Sequence, residues 1–308
     1  MNIKNIISQY SPKLKKTSSS PILDIELLLT KILNKPKEFL FTYPEKNLTT
    51  LQLAKFKKLF KRRLAGEPIS YILGYKEFFK LDFIVNKNVL IPRPETEILV
   101  AEVLNFYKKN KARVILEIGV GSGAVIIALA KNIRNVEFIA TDISAKALNI
   151  AKQNAKRHNA KIKFLKGNIL EPIFKIHNSA RLGWGQPRKS LKKQPSRSRA
   201  LIIQNSIIVA NLPYLDHKEE NLLPSANTIG LKFEPKIAYD GGPDGLKYFR
   251  QLFAQIQKNN LKPKAIFLEI GYKQATKIKK IARLALPKYK SQIIKDLCGH
   301  DRVLILAQ

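Results

Sequence analysis

Three glycines at alternate positions are the first feature of this sequence that suggests chemistry. Segment 117–123 (EIGVGSG) follows a short apolar run. Glycine accepts positive φ angles and lets a ligand approach the main chain without a Cβ clash. Asp142 ends the next apolar run, and its carboxylate can accept hydrogen bonds from both hydroxyls of a ribose. The pattern predicts a nucleoside-binding turn built from Glu117, Gly119, Val120, Gly121, Ser122 and Gly123, with Asp142 beside it.

A short polar loop after a later apolar run is the second such feature; its residues are Asn211, Leu212, Pro213 and Tyr214. Ligands bind at the carboxyl ends of parallel strands, where this loop would lie. A carboxamide or aromatic amine nitrogen is a poor nucleophile because its lone pair is delocalised. Asn211 Oδ1 and the Leu212 carbonyl can each accept one of its hydrogens, and Tyr214 can pack against the planar group. We expect positioning and fixed dipoles to accelerate its reaction, without a general base.

Both features resemble those of methyltransferases. A dinucleotide fingerprint spaces its glycines G-x-G-x-x-G, whereas the spacing here resembles the S-adenosylmethionine-binding turn of class I methyltransferases. The loop resembles the [Asn/Asp/Ser]-Pro-Pro-[Tyr/Phe/Trp] signature of enzymes that methylate planar nitrogens, with Leu212 where proline is usual. Pro213 still restricts Leu212 to extended conformations, so the geometry can persist with less rigidity. Asn-Leu-Pro-Tyr is also the form found in rRNA adenine dimethyltransferases, which keeps RNA methylation open as an alternative.

The elements that must position these residues alternate between short apolar strands and helical stretches from Arg113 onward. Such alternation predicts a parallel sheet covered by helices on both faces. The predicted strands are Val114–Ile118, Val136–Thr141, Ile162–Leu165, Ile207–Ala210, Ala265–Ile270 and a closing strand Arg302–Ala307.

The remaining segments of the chain differ in composition from these strands and helices. Pro21 begins one helical stretch with apolar residues on more than one face, and Thr50–Leu64 repeats the pattern, so the first seventy residues predict a small helical domain. The aromatic and β-branched run 78–85, with a turn candidate at 86–88, indicates a hairpin linker. Segment 177–200 is rich in Ser, Pro, Gly and basic residues and has no acidic residue, which predicts a disordered insertion.

Composition excludes several classes of protein. The 308 residues carry a formal net charge of +33, which favours a polyanionic partner and is equally compatible with a solvated lysine-rich surface. Cys298 is the single cysteine, so an internal disulfide framework is excluded, and we expect a buried thiol near a strand. The four histidines lack metal-ligand spacing, and we expect no metal site. The N-terminus lacks the pattern of a secretory signal and no apolar run is long enough to span a membrane, so we expect a cytoplasmic protein.

The chain as a whole resembles the HemK/PrmC family of protein-(glutamine-N5) methyltransferases that act on peptide chain release factors. The resemblance covers nearly the full length and rests on the two features above and on segments 67–74 (EPISYILG), 89–97 (VLIPRPETE), 234–235 (EP), 241–246 (GGPDGL), 268–271 (LEIG) and 301–303 (DRV). It implies an α/β class I S-adenosylmethionine-dependent methyltransferase fold, Rossmann-like with a mostly parallel sheet. The implied domains are a helical substrate-recognition domain (1–73), a hairpin linker (74–98) and a methyltransferase domain (99–308).

The resemblance also implies a reaction and its residues. The substrate would be the glutamine of the Gly-Gly-Gln motif in class I release factors. The cofactor S-adenosylmethionine would give the methyl group and leave as S-adenosylhomocysteine. Glu117, residues 119–123 and Asp142 would hold the cofactor, Asn211 would touch cofactor and substrate, and residues 211–214 would hold the glutamine. Asn168 and Ile169 replace the acidic and aromatic residues that the family often places against the adenine, so we expect weaker cofactor binding. Methylation of a ribosomal protein glutamine remains an alternative, contact with the ribosome or RNA is compatible with the charge, and we expect a monomer.

Overall fold

The structure, a computed structural model, describes residues 1–175, 203–217 and 229–308. The predicted insertion at 177–200 lies outside the described residues. The chain divides into two compact units. The first contains Met1–Lys76, Ile84–Ile91 and the described part of Glu219–Lys236; the second contains Glu77–Phe83, Ile237–Gln308 and the described part of Pro92–Lys218. The segment predicted as a linker, 74–98, therefore contributes to both units.

Helices build the first unit. Pro21 occupies the first turn of its helix, where its missing N–H costs nothing, and Thr49 and Gln52 form a capping box at the start of another helix. The helices are α1 (Ile3–Tyr10), α2 (Pro21–Leu33), α3 (Lys37–Thr42), α4 (Thr50–Leu64) and α5 (Ile69–Leu73). Their apolar stripes enclose one core, formed by Ile3, Ile6, Leu14, Ile25, Leu28, Leu29, Leu40, Leu48, Phe56, Phe60 and Ile72. Burial of this stripe stabilises the unit because it removes apolar surface from water.

The hairpin reverses earlier than the sequence pattern suggests. Its strands are β1 (Tyr75–Phe78) and β2 (Leu81–Ile84), and its turn residues Phe79 and Lys80 have φ angles of 50° and 60°. Glycine or asparagine usually occupies such positions, so local sequence gave no signal. The carboxylate of Glu97 compensates, because its Oε1 accepts a hydrogen bond from the Phe79 amide at 2.8 Å. The predicted turn at 86–88 does form, although it follows the hairpin instead of closing it.

A seven-stranded sheet forms the centre of the second unit, in the order β5-β4-β3-β6-β7-β9-β8. The first five strands of this order pair in parallel, and β9 is antiparallel to β7 and β8. The strands are β3 (Val114–Ile118), β4 (Glu137–Asp142), β5 (Lys163–Lys166), β6 (Ile207–Ala210), β7 (Ala265–Glu269), β8 (Lys290–Lys295) and β9 (Asp301–Ala307). The predicted mostly parallel sheet is confirmed. The prediction missed β8, an edge strand whose exposed and partly exposed residues lack the apolar run of a buried strand.

Helices cover both faces of this sheet, because successive strand residues point to opposite sides. One core packs α6 (Thr96–Lys109), α7 (Ala124–Asn132) and α8 (Ala145–Arg157) against residues such as Ile115 and Phe267. The other packs α9 (Glu171–Phe174), α10 (Lys247–Lys258) and α11 (Ala275–Ala285) against residues such as Leu116 and Leu268. The chain runs from β3 to β4 on one side and returns to β6 on the other, so the strand order reverses beside β3. Ligands bind at such reversal points in α/β sheets.

Cys298 lies in the turn between β8 and β9 and is exposed, so the expectation of a buried thiol was wrong. One ligand atom each of Asp296, Cys298 and His300 lie within 4.8 Å of one another. The Asp296 carboxylate accepts hydrogen bonds from the Cys298 and His300 amides at 3.0 and 2.9 Å and from Arg302 Nη2 at 3.0 Å. These contacts shape a tight turn and occupy the carboxylate.

Among the helices of residues 1–175, 203–217 and 229–308, none has the length and the apolar character of a membrane-spanning helix.

Candidate active site

The glycine turn leaves β3 and enters α7 through three left-handed residues. Gly119, Gly121 and Gly123 have φ angles of 73°, 53° and 85°. Other residue types adopt such angles only at a cost of roughly 1–2 kcal/mol each, which explains the alternating glycines. The Gly123 amide donates to the Val120 carbonyl at 2.8 Å and closes the turn.

Glu117 fastens this turn to the helix that follows it. Its side chain is buried, and Oε2 accepts a hydrogen bond from the Ile126 amide at 2.9 Å, in the first turn of α7. Burial raises the pKa of the Glu117 carboxyl well above its usual range, and the charge of Asp142 adds to this increase. Glu117 therefore stabilises the turn from inside the protein, and its role toward a cofactor stays a prediction.

Asp142 ends β4 beside the glycine turn, as predicted from sequence. Its Oδ2 accepts from the Gly121 amide at 2.9 Å and its Oδ1 from the Ser144 amide at 2.8 Å. The side chain is half-buried, and burial raises the pKa of its carboxyl, while the backbone amides oppose this effect. Each oxygen keeps capacity for a further hydrogen bond, such as one from a hydroxyl group.

The space around the three glycines separates their roles. A Cβ added at Gly121 would meet no atom within 4 Å, so the main chain there faces open space that a ligand can fill. A Cβ at Gly123 would lie 3.0 Å from Ile127 and 3.3 Å from Ala151, so this glycine lets α7 and α8 pack closely. Asn154 of α8 is buried and donates to the Ser122 carbonyl at 2.8 Å, which holds the turn from behind. The open space before Gly121 and the acceptor oxygens of Asp142 are what a nucleoside with free ribose hydroxyls would need.

Asn168 and Ile169 follow β5 at the edge of the sheet where the parallel strands β3 and β4 also end. Asn168 is partly exposed, and its Nδ2 lies 3.4 Å from Glu171 Oε1. Ile169 is only 5% exposed, has a φ of 51°, and its carbonyl accepts from the Thr141 hydroxyl at 2.8 Å. Asn168 can thus reach a ligand more readily than the largely buried Ile169 side chain can. Their roles toward the adenine stay predictions.

The loop of residues 211–214 lies directly beside the glycine turn. Ile118 and Ala210 are paired in the parallel ladder of β3 and β6, so Gly119 and Asn211 leave the sheet side by side. A Cβ at Gly119 would lie 3.6 Å from Leu212 Cδ2 and 3.8 Å from the Asn211 carbonyl oxygen. Leu212 is buried in the core beneath the loop, so its side chain anchors the loop there. The predicted nucleoside-binding turn and the predicted amide-binding loop therefore form one continuous site.

Side chains from two distant segments hold this loop in place. Asn211 Nδ2 donates to the Thr96 hydroxyl at 3.2 Å, and the Tyr214 hydroxyl donates to Glu269 Oε1 at 3.2 Å. The Thr96 side chain also hydrogen-bonds the Glu269 carboxylate. Thr96 begins α6 and Glu269 ends β7, and both are buried.

Sequence reasoning assigned no role to Thr96 or Glu269, although both lie in segments that carried the family resemblance. One signal was available for Glu269, because it is a carboxylate at the end of an otherwise apolar run, 265–270. Carboxylates are rarely buried without a partner. Burial raises the pKa of Glu269, while Thr96, Arg302 and Tyr214 lower it. Burial and the nearby Glu269 charge raise the pKa of the Tyr214 phenol, which keeps it protonated.

The glycine-rich segment 241–246 supports Tyr214 from behind. A Cβ at Gly245 would lie 2.3 Å from the Tyr214 carbonyl oxygen, and one at Gly241 would lie 2.8 Å from Tyr214 Cα. The same carbonyl accepts from Gln274 Nε2 at 2.8 Å. Only glycine permits this close backbone contact, which explains why GGPDGL accompanies the loop in one chain.

Two family models match the chain. The PrmC N-terminal domain matches residues 5–74, and a methyltransferase domain matches residues 115–180. The release factor glutamine methyltransferase of Coxiella burnetii is 36% identical over 307 positions that cover 99% of this chain and 98% of that protein. The chain belongs to the release factor glutamine methyltransferase family. This family and its fold imply the use of S-adenosylmethionine.

Other relatives extend beyond this chain. A bifunctional methyltransferase of Rickettsia prowazekii is 37% identical over 323 positions that cover 98% of this chain and 57% of the relative. The chain therefore spans somewhat more than half the length of these bifunctional relatives. Among solved structures, the hMettl16 catalytic domain in complex with the MAT2A 3′UTR hairpin 1 has a TM-score of 0.51 at 13% identity and covers 91% of this chain and 90% of its own. That similarity concerns the methyltransferase fold alone.

Proposed function

We propose that this protein transfers a methyl group from S-adenosylmethionine to the side-chain amide nitrogen of the glutamine in the Gly-Gly-Gln motif of class I release factors. The observation that carries the proposal is that the amide-binding loop lies against the glycine turn. Ile118 and Ala210 pair in the sheet, and a Cβ placed on Gly119 would lie 3.6 Å from Leu212 Cδ2 and 3.8 Å from the Asn211 carbonyl oxygen. Membership of the family supports it. This function also predicts a cytoplasmic protein whose protein partner is a release factor.

The cofactor would be held by the glycine turn and Asp142. Gly121 faces open space, and Asp142 offers acceptor capacity for hydroxyl groups. Asn168 lies on the same side of the sheet, where its amide can bond the adenine amine. When bound, S-adenosylmethionine supplies the methyl group as part of an electrophilic sulfonium.

The loop of residues 211–214 would hold the substrate amide. Asn211 Oδ1 and the Leu212 carbonyl accept its two hydrogens, and the Tyr214 ring packs against the planar group. These contacts orient the nitrogen and favour the geometry in which its lone pair is available. The substrate nitrogen would gain the methyl group that the sulfonium loses and release one N–H proton to solvent. The rate increase then comes from orientation and fixed dipoles.

A methylation assay with three separate substrates tests the proposal. The protein is incubated with S-adenosylmethionine and a class I release factor, protein-free rRNA or ribosomal proteins, and mass spectrometry is applied to tryptic peptides of the proteins and to nucleosides of the rRNA. We expect one added methyl on the Gly-Gly-Gln peptide and none on a release factor whose glutamine is replaced by alanine. Methyl transfer to rRNA with an unmodified release factor would overturn the proposal in favour of RNA methylation. Transfer to a ribosomal protein alone would replace the substrate but keep the chemistry.

A further inference from the structure

The hydrogen bonds around Glu269 form a chain with a defined direction. Glu269 is 1% exposed, and its carboxylate is hydrogen-bonded by the Tyr214 hydroxyl and by Thr96. Burial raises the pKa of the Glu269 carboxyl, whereas Thr96, Arg302 and Tyr214 favour its ionised form. In that form the carboxylate has no hydrogen to give, so each hydroxyl must donate to it. Thr96 has one hydroxyl hydrogen, and once this hydrogen points at Glu269, the Thr96 oxygen can only accept.

This direction decides which end of the Asn211 amide faces Thr96. Only the NH₂ group of Asn211 can bond an oxygen that is limited to accepting, and Nδ2 indeed lies 3.2 Å from Thr96 Oγ1. Asn211 Oδ1 then points away from Thr96 and stays available as an acceptor. In the reversed orientation the Asn211 NH₂ would face the NH₂ of the substrate glutamine, and two hydrogen-bond donors would repel each other.

We propose that Glu269 is the positioning residue of the site, which acts through Thr96 to orient the Asn211 amide and through the Tyr214 hydroxyl to fix the ring of Tyr214. This inference rests on the proposed function, because the oriented amide is the acceptor for the substrate glutamine. Glu269 itself touches no substrate. It sets the direction of two hydrogen bonds on which the loop depends.

The burial of Glu269 favours this role over a purely structural one. Its Oε2 is buried without a hydrogen-bond partner among the described residues. Burial of a carboxylate costs stability, so a neutral side chain of similar shape should fold at least as well. Arg302 contributes a favourable charge, and Glu95 an unfavourable one. Because the buried Glu269 carboxylate costs stability, its presence is better explained by the hydrogen bonds that it orients than by a contribution to folding.

A matched pair of variants at Thr96 isolates the hydroxyl from the packing. Thr96→Val keeps the shape and removes the hydroxyl, and Thr96→Ser keeps the hydroxyl. We expect kcat on the release factor to fall roughly 100-fold in Thr96→Val, as misorientation at a reacting group produces, and to remain within threefold of wild type in Thr96→Ser. The melting temperature and the affinity for the cofactor should change little in either variant. Equal losses in the two variants would overturn the proposal, because packing would then be the cause.

Glu269→Gln tests whether the two residues act in one chain. Glutamine preserves the volume and can donate, so the direction of the Thr96 bond is no longer fixed. We expect a loss of roughly 10- to 100-fold in kcat with an equal or higher melting temperature. Adding Thr96→Val to Glu269→Gln should cost little more, since both act on Asn211. Independent, multiplying losses, or a melting temperature that falls together with activity, would contradict the proposal.

An NMR measurement on the free protein separates this inference from the proposed function. The side-chain NH₂ signals of Asn211, assigned by their loss in Asn211→Ala, should shift in Thr96→Val and Glu269→Gln and remain near their original positions in Thr96→Ser. Unchanged signals in all three variants would overturn the orientation, whatever the substrate is. If wild-type protein fails to methylate a release factor and the signals still shift, the proposed function falls and the positioning role stands.

Discussion

The two halves of the proposed site would bind their ligands with different parts of the polypeptide. The half at β3 and β4 would be a backbone site, in which the continuous turn of residues 119–123 presents main-chain groups and Asp142 adds one carboxylate. The half at β6 is a side-chain site, in which Thr96, Asn211, Tyr214 and Glu269 meet from three distant segments. A backbone site needs glycine at fixed spacing, while a side-chain site needs only that the fold bring its members together.

Each half also contains a buried carboxylate with a raised pKa, and the two carboxylates differ in their partners. Glu117 accepts from a backbone amide of α7, so it is part of the scaffold. Glu269 is bonded by hydroxyl groups of residues that reach the site, and one of its oxygens has no partner in the described part of the chain. The same residue type thus accepts from a helix amide in one half and, in our proposal, directs hydrogen bonds in the other.

The largest effect is expected in the side-chain half, at Asn211. Asn211→Ala removes the acceptor for the substrate amide and should lower kcat roughly 100- to 1,000-fold, as loss of one oriented polar group in an active site does. The assay is methylation of the release factor at saturating cofactor. Asn259→Ala, at an exposed helix end, is the matched control and should retain full activity. Activity in Asn211→Ala within tenfold of wild type would remove the side-chain half from the reaction.

The backbone half is tested by comparing two glycines that have similar geometry. Gly121 and Gly299 both have positive φ angles, and a Cβ at either meets nothing within 4 Å. Alanine at each should lower the free energy of unfolding by about 1–2 kcal/mol through strain. In Gly121→Ala, isothermal titration should also show cofactor binding weakened roughly 10- to 100-fold, because the new methyl occupies the space before the turn. Equal cofactor affinities in the two variants would contradict a ligand at this turn.

A smaller, pH-dependent effect is expected at Asp142. Burial raises the pKa of its carboxyl in the free protein, and only the ionised form offers all its acceptors to ribose hydroxyls. Binding therefore favours the ionised form, so affinity should be highest above this pKa and fall by up to about tenfold per pH unit below it. Asp142→Asn should bind more weakly with a flatter profile. An equally steep pH profile in Asp142→Asn would contradict this role of Asp142.

The smallest effect is expected at Asn168. Asn168→Asp restores a charged acceptor for the adenine amine, and charged hydrogen bonds exceed neutral ones by about 1 kcal/mol, so the cofactor Kd should fall roughly fivefold. The nearby Glu171 carboxylate, 3.4 Å from Asn168 Nδ2, would oppose the new charge. The measurement therefore includes Glu171→Gln as a second background, in which the gain should be larger. An unchanged Kd in both backgrounds would separate Asn168 from the adenine.

The sequence by itself determined the sheet, the glycine turn and the identity of the loop. Alternating apolar runs specify parallel strands, and positive φ angles at Gly119, Gly121 and Gly123 leave a visible pattern because other residues are strained there. Asp142 was predictable because parallel strands bring their carboxyl ends to one edge. Local pattern was silent at the hairpin, where Phe79 and Lys80 take left-handed angles that Glu97 stabilises, and at the exposed edge strand β8.

Only the tertiary structure decided how the loop is oriented. Thr96 and Glu269 are ordinary residues in their own segments, and their roles arise because α6, β6 and β7 place them around Asn211 and Tyr214. Hydrogen-bond direction depends on which donors and acceptors meet in space, and no spacing along the chain encodes it. A main-chain site can be predicted from sequence because its backbone angles require particular residue types, whereas a side-chain network forms only after distant elements have packed.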